Sequence, residues 1–290
     1  MIRLPYRPID IHVHPSTSEY LERALGPFFE ATKKFFRTDI PVRTVEEMAQ
    51  EFAEAGVFGV LLAWDAETAT GLPPVTNDFI AEVIRRYPQT FAGFASVDPH
   101  KGKKAVDELA RAVEELGLIG LKLHPVAQDF RPDDPKFFPL FEKAADLGIP
   151  ALLHTGNTGL GAGMPGGMGM KLERARPIYI DTLAAEFPDL TIIGAHPSWP
   201  WQDEMIMIAL HKKNVYIDLS GWSPKYFPES LVREIGGRLQ DKVLFGTDYP
   251  FITHEKWLSA FESFGFDESV VRKVLRDNAL SILGKAVGSP

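Results

Sequence analysis

A single (β/α)8 barrel of the TIM type is the α/β fold this sequence predicts, on three observations. Eight short β-rich runs alternate along the 290 residues with longer amphipathic stretches. Most of the runs are almost continuously apolar, as parallel strands buried on both faces must be. Histidines and an aspartate gather at the C-terminal ends of the runs, the face on which barrel enzymes carry their chemistry. A doubly wound open sheet is the competing arrangement, but no Gly-x-Gly-x-x-Gly follows the first run to cradle a nucleotide. No linker divides the chain, so residues 1–290 are read as one domain.

The elements follow in order. The first strand is expected over Ile9–His14, and Tyr20–Ile40 reads as a helical insertion behind it. Phe28, Phe29, Phe35 and Phe36 of that insertion would cover either the barrel mouth or a partner subunit. Thr44-Val45-Glu46-Glu47 has the form of a capping box, and Val45, Met48, Phe52 and Ala55 continue it at helical spacing. Strands are then expected at Val57–Trp64, Phe91–Val97, Ile119–His124, Ala151–His154, Leu190–His196, Val215–Ser220 and Val243–Asp248. Helices are expected at Lys103–Leu116 and Phe137–Leu147, which stop at Gly117 and Gly148, glycine being the favoured residue just past a helix end. Asp181–Phe187, Gln202–His211, Glu229–Leu239 and His254–Phe264 supply the remaining helical patterns, and Asp267–Leu283 reads as a closing C-terminal helix. Thr155–Met170 holds seven glycines and follows a strand ending in histidine, where a mobile active-site loop would stand.

Composition removes several function classes. With 31 Lys+Arg against 39 Asp+Glu the formal charge is −8, which offers no basic surface to nucleic acid. No apolar run is long enough to span a membrane. The first ten residues carry Arg3, Arg7 and two prolines without a secretory apolar core, and the absence of cysteine makes a cytoplasmic location the expectation. There is no cysteine, so a transition metal would have to be held by imidazole and carboxylate.

The histidines supply that set. His12 and His14 alternate on one strand, which places two imidazoles on one face about 7 Å apart along the backbone. Such a pair is either a chelate or a packed core pair. His154 and Asp248, at the ends of the fifth and eighth strands, favour the chelate and complete an N₃O set. One divalent ion is expected, with Zn²⁺ first and Mn²⁺, Fe²⁺ or Co²⁺ within reach. Asp248 would ligate it or take a proton from water bound there. Asp10, in phase with the two histidines, reads either as an inward acceptor behind them or as a strand-start cap.

Lys122 and His124 form a second alternating pair, and both are expected to bind substrate. A lysine facing a barrel interior needs a partner or a task. It would bind a substrate carboxylate, bridge two metals in carboxylated form, or pair with an acid such as Asp10. His196 is assigned as general acid/base because imidazole titrates near neutrality, with a further metal ligand as the competing role. Trp199 and Trp222 would wall an apolar or aromatic substrate, with packing as the competing role. Arg174 and Arg176 would neutralise a substrate carboxylate or form a solvated helix face.

The pieces Asp10-Ile11-His12-Val13-His14, Leu153-His154-Thr155-Gly156, Gly194-Ala195-His196-Pro197 and Phe245-Gly246-Thr247-Asp248-Tyr249-Pro250 resemble the amidohydrolase superfamily. Within it they are similar to the amidohydrolase-related branch that includes aminocarboxymuconate-semialdehyde decarboxylase. The resemblance implies a distorted barrel with metal ligands at His12, His14, His154 and Asp248, and His196 as the proton-transfer residue. Members with two metals use a carboxylated lysine on the fourth strand, and Lys122 stands two residues before that strand's tip, which favours one ion over two. Some decarboxylases of the branch begin with Glu-x-His, so the first motif leaves the reaction open. The expected activity is non-oxidative decarboxylation of an unsaturated or aromatic carboxylate. The alternative is hydrolysis of a lactone, ester or amide by metal-activated water. A non-catalytic barrel binding a small acid is opposed by His196, since passive binding needs no proton carrier. The substrate is a small carboxylate or carbonyl compound, and the phenylalanine-rich insertion suggests a homo-oligomer, with a dimer expected.

Overall fold

The computed structural model describes residues 5–287. Arg3, part of the leader reading, lies outside them.

Eight parallel strands pair in sequence order: β1 (Ile9–Val13), β2 (Phe58–Leu62), β3 (Phe91–Ser96), β4 (Leu121–Leu123), β5 (Ala151–His154), β6 (Ile192–Ala195), β7 (Val215–Asp218) and β8 (Val243–Leu244). The sheet then returns on itself. Ile11 N–H donates to Phe245 O at 3.1 Å, Asp248 N–H to His12 O at 3.1 Å and His14 N–H to Tyr249 O at 2.8 Å. Side chains divide into two apolar layers. Ile11, Val60, Phe94, Leu152, Ile193 and Leu244 fill the barrel, while Leu61, Leu123, Leu153, Ile217 and Phe245 face the surrounding helices. Ala279, Leu283 and Val287 pack into the inner layer, so the C-terminal helical segment closes the cylinder opposite the site.

The helical readings hold with defined adjustments. The Thr44 capping box is complete: its hydroxyl accepts from Glu47 N–H and the Glu47 carboxylate accepts from Thr44 N–H, opening the helix Val45–Ala55. Gln202–His211 forms as expected. The helix expected over Glu229–Leu239 ends at Ile235, because Gly236 and Gly237 follow and glycine weakens a helix interior. The helix Asn77–Arg86 was not read from the sequence, although Thr76 caps it by accepting from Phe79 N–H at 3.1 Å. The insertion folds as a π-helix over Glu19–Ala24 and an α-helix over Phe28–Phe36.

All the strands but β5 stop short of their expected ends, and two of the stops matter. β6 ends at Ala195 and β8 at Leu244, and His196 and Asp248 beyond them take left-handed backbone conformations with φ of 77° and 63°. Such a conformation costs a non-glycine residue about 1–3 kcal/mol and persists where surrounding contacts impose it.

The first strand departs from simple alternation. Asp10 pairs with Gly59 but Val13 pairs with Leu61, so β1 carries one residue more than β2 between those points. That bulge turns Asp10 away from the barrel interior, toward Thr247 and the helix His254–Glu262. The expectation of an inward Asp10 behind His12 and His14 is therefore corrected.

Candidate active site

The strand ends bring six buried side chains into one cavity: His12, His14, Lys122, His124, His154 and His196, with Asp248 at its edge. His12 Nε2 lies 3.3 Å from Asp248 Oδ1, and His14 Nε2 lies 3.5 Å from the same oxygen. Ligand atoms of these three residues fall within 4.8 Å of one another. His154 lines the cavity, and its Nε2 is buried without a hydrogen-bond partner in the structure. A lone pair left uncompensated in a buried site is costly, and a divalent cation is one group that would satisfy it. The donor set of imidazoles and one carboxylate fits such an ion.

β7 supplies groups that the sequence reading missed. Asp218 Oδ2 lies 2.6 Å from His12 Nδ1, so the ring donates its Nδ1–H there and keeps a lone pair on Nε2. Ser220 Oγ donates to Asp218 Oδ2 at 2.7 Å and lies 2.9 Å from His196 Nδ1. His196 Nδ1 is also 3.0 Å from Ser220 O, a pure acceptor, which fixes the proton on Nδ1. His196 Nε2 then accepts from His154 Nδ1–H at 2.9 Å, leaving the free lone pair of His154 on Nε2. One Asp-x-Ser segment thus sets the tautomers of His12 and, through His196, of His154. An aspartate and a serine alternating at the tip of an otherwise apolar strand were the available signal.

Lys122 Nζ sits 3.2 Å from His12 Nε2 and is not paired with Asp10. Asp10 is saturated elsewhere: it accepts from His12 N–H at 3.0 Å, Thr247 N–H at 3.1 Å, Thr247 Oγ at 2.5 Å and His254 Nε2 at 3.1 Å. It therefore pins the backbone on either side of the ligands.

Burial dominates the electrostatics. It holds His12, His14, His124 and His154 well below the usual imidazole pKa, with the neighbouring cationic groups adding to the effect, so all four are neutral at pH 7. His196 is pushed down to about 4, Asp218 opposing the shift. Burial drives the Lys122 ammonium down and the Asp248 carboxyl up, and attraction between the two opposes both shifts.

Close approach explains two glycines. A Cβ on Gly246 would lie 2.3 Å from Asp218 Oδ1 and 3.1 Å from His12 Cβ, and one on Gly221 would lie 2.5 Å from His196 Nδ1. Aromatic walls close the cavity: Tyr20, Phe35, Phe36, Trp64, Trp222 and Phe251. Phe35 and Phe36 confirm the mouth-covering reading of the insertion, and both pack on Gly159 of the glycine-rich segment. Trp199 does not line the cavity; it is 50% exposed and meets Trp222 at the rim, 6.0 Å between ring centres. Arg174 pairs with Asp129 at 3.0 Å and Arg176 with Glu204 at 2.6 Å, outside the cavity.

A closed eight-stranded barrel with a His/Asp ligand group at its mouth defines a metal-site TIM barrel. The chain belongs to the amidohydrolase family, whose sequence model matches residues 9–285. It is similar to 2-amino-3-carboxymuconate-6-semialdehyde decarboxylase of Dictyostelium discoideum, 27% identical over 249 residues that cover 75% of this chain and 68% of that protein. In structure it is similar to an uncharacterised TIM-barrel protein of Bordetella bronchiseptica, with a TM-score of 0.81, 25% identity and coverage of 97% of this chain and 99% of that one. It also shares the fold of a dihydroxybenzoic acid decarboxylase of a Polaromonas species solved with bound manganese, with a TM-score of 0.71, 21% identity and coverage of 96% and 97%. No described helix is long and apolar enough to cross a membrane.

Proposed function

We propose that this protein is a divalent-metal-dependent decarboxylase acting on a small unsaturated or aromatic carboxylate. The observation that carries the reading is the convergence of His12, His14 and Asp248 in an aromatic-walled cavity lined also by Lys122 and by His154, whose Nε2 is unpartnered. The semialdehyde decarboxylase of Dictyostelium and the manganese-bound decarboxylase of Polaromonas support the choice of reaction.

His12, His14, His154 and Asp248 would hold one ion, with Zn²⁺ our expectation and Mn²⁺ the precedent in the Polaromonas protein. When bound, the ion supplies Lewis acidity that withdraws charge from an attached substrate oxygen. The chain's own residues do the rest. Lys122 neutralises negative charge on the substrate, and the aromatic walls exclude water and orient a planar ring. Net decarboxylation exchanges a carboxylate for a proton at one carbon without redox change. His196 and Asp248 are the proposed proton-handling groups. For His196 to serve, its Nε2 must exchange the His154 contact for substrate, with Ser220 O retaining the Nδ1 proton. We further propose a single domain, a homodimer and a cytoplasmic location.

The test is an assay of metal-loaded protein against aromatic and unsaturated carboxylates, following CO₂ release. Turnover of lactones, esters or amides without CO₂ would overturn the decarboxylase reading in favour of hydrolysis.

A further inference from the structure

His124 stands at a strand end and lines the cavity with the other histidines; like His154, it lies outside both ligand-atom groups found among the described residues. Its hydrogen bonds set it apart from His154. The Ala127 N–H donates to His124 Nδ1 at 3.2 Å, so that nitrogen must present a lone pair. A neutral imidazole carries one ring proton, and here it has to reside on Nε2. An N–H cannot ligate a cation, so in this tautomer Nε2 is closed to a metal.

The tautomer is locked by the chain that follows β4. Gln128 N–H donates to His124 O at 2.9 Å, and the Gln128 side chain accepts from His124 N–H at 2.8 Å. The same carboxamide donates to Asp65 O at 2.7 Å and to Val97 O at 2.9 Å, which ties the turn to the ends of β2 and β3. Gln128 is buried and every hydrogen it can donate is used, so the turn that delivers the Ala127 N–H has little freedom. The His124 ring stacks on His154 with centroids 3.8 Å apart and planes 11° apart, and Trp64 meets its edge at 5.2 Å. Stacking against a ring that binds a cation would further disfavour a second charge on His124.

We propose that His124 is a fixed, uncharged hydrogen-bond donor whose Nε2–H holds an anionic oxygen of the substrate, a carboxylate or a ring oxyanion. The assignment rests on the decarboxylase reading for the identity of its ligand, but the tautomer does not. Lys122, two residues earlier on the same face of β4, supplies the charge; His124 supplies direction. A neutral donor has a specific advantage beside a dication, because it orients the anion without adding repulsion. It also cannot surrender its proton and become an acceptor, so it discriminates against substrates that present a donor at that point.

Two measurements test this. Nitrogen-15 NMR of histidine-labelled protein should show His124 with a pyrrole-type Nε2 and a pyridine-type Nδ1; the reverse pattern, or two protonated nitrogens at neutral pH, overturns the tautomer whatever the enzyme's substrate. Calorimetry with benzoate on metal-loaded protein tests the ligand. His124→Phe should weaken benzoate binding by about tenfold to a hundredfold, the worth of a hydrogen bond to a charged group, at unchanged metal content. His124→Gln, which retains an amide donor, should recover most of the loss. Benzoate binding that is equal in wild type and His124→Phe overturns the donor role. A wild-type protein that binds no benzoate, while the NMR pattern is as stated, overturns the substrate class alone.

Discussion

The carboxylate of Asp218 lies 2.6 Å from Nδ1 of His12, although 206 positions separate the two residues. β7 thereby dictates which nitrogen of a β1 histidine remains free for a cation.

Replacing Asp218 with Asn tests that dependence. The amide oxygen can still accept a hydrogen bond but carries no charge, so His12 becomes a poorer ligand. Metal affinity should fall by about 10–100-fold with the fold intact. Titration of stripped protein with Zn²⁺ and Mn²⁺ measures it, and an unchanged affinity would show that Asp218 is only structural.

Chelator treatment should lower the melting temperature, because the ion binds a site assembled only in the folded chain. The expected stabilisation is about 2.7 kcal/mol when free ion exceeds Kd about a hundredfold. Elemental analysis before treatment should find one ion per chain. Two ions would instead indicate a bridging Lys122.

His196→Asn separates two roles. As a proton carrier, His196 should contribute about 10²–10⁴-fold to turnover, and its loss should leave the ion in place. Full turnover in the variant refutes the assignment, whereas loss of metal would make His196 part of the ligand set.

Gly246→Ala places a methyl group 2.3 Å from Asp218 Oδ1, so either the carboxylate or β8 must move. The expected cost is about 1–3 kcal/mol, as for other forced insertions into packed interiors. A weaker metal site should accompany it. Chemical denaturation and metal titration of the same variant read both, and neutrality in both would mean the backbone relaxes freely.

Acid stability should respond to Arg111, which pairs with Asp78 at 2.6 Å and Glu108 at 2.8 Å. Hydrogen bonds from Arg111 lower both carboxyl pKa values in the fold. A carboxyl lowered on folding stabilises the protein above its unfolded pKa, and that contribution disappears as pH falls through the folded value. These groups are partly exposed, so Arg111→Met should cost under about 1 kcal/mol at neutral pH. The difference from wild type should shrink below the ordinary carboxyl values of 3.8 and 4.5. A penalty that grows in acid would contradict the pairing.

Much of the site was legible because parallel strands impose simple rules. Lys122 and His154 point inward as period-two alternation requires, and each sits next to outward leucines, Leu121 and Leu123 on β4 and Leu153 on β5. The inward alternative for Asp10 failed because it carried the same rule through a bulge that no residue of Ile9–Val13 announces. The substrate-wall alternative for Trp199 rested on its following the sixth strand, but the left-handed turns at His196 and Ser198 come before it and it stands exposed at the rim.

The sequence by itself determined the strand order, the barrel and the imidazoles and Asp248 at its mouth, because burial pattern and period are local properties of a chain. Only the tertiary structure decided what those groups can do. Asp218 and Ser220 acquire their role because β7 lies beside the strand that carries His196 and one strand away from the one that carries His12, and one backbone N–H three residues on bars His124 from ligating a cation through Nε2. A proton's position on an imidazole is set by whichever atom the fold brings to the other nitrogen, and that partner is not written beside it in the chain.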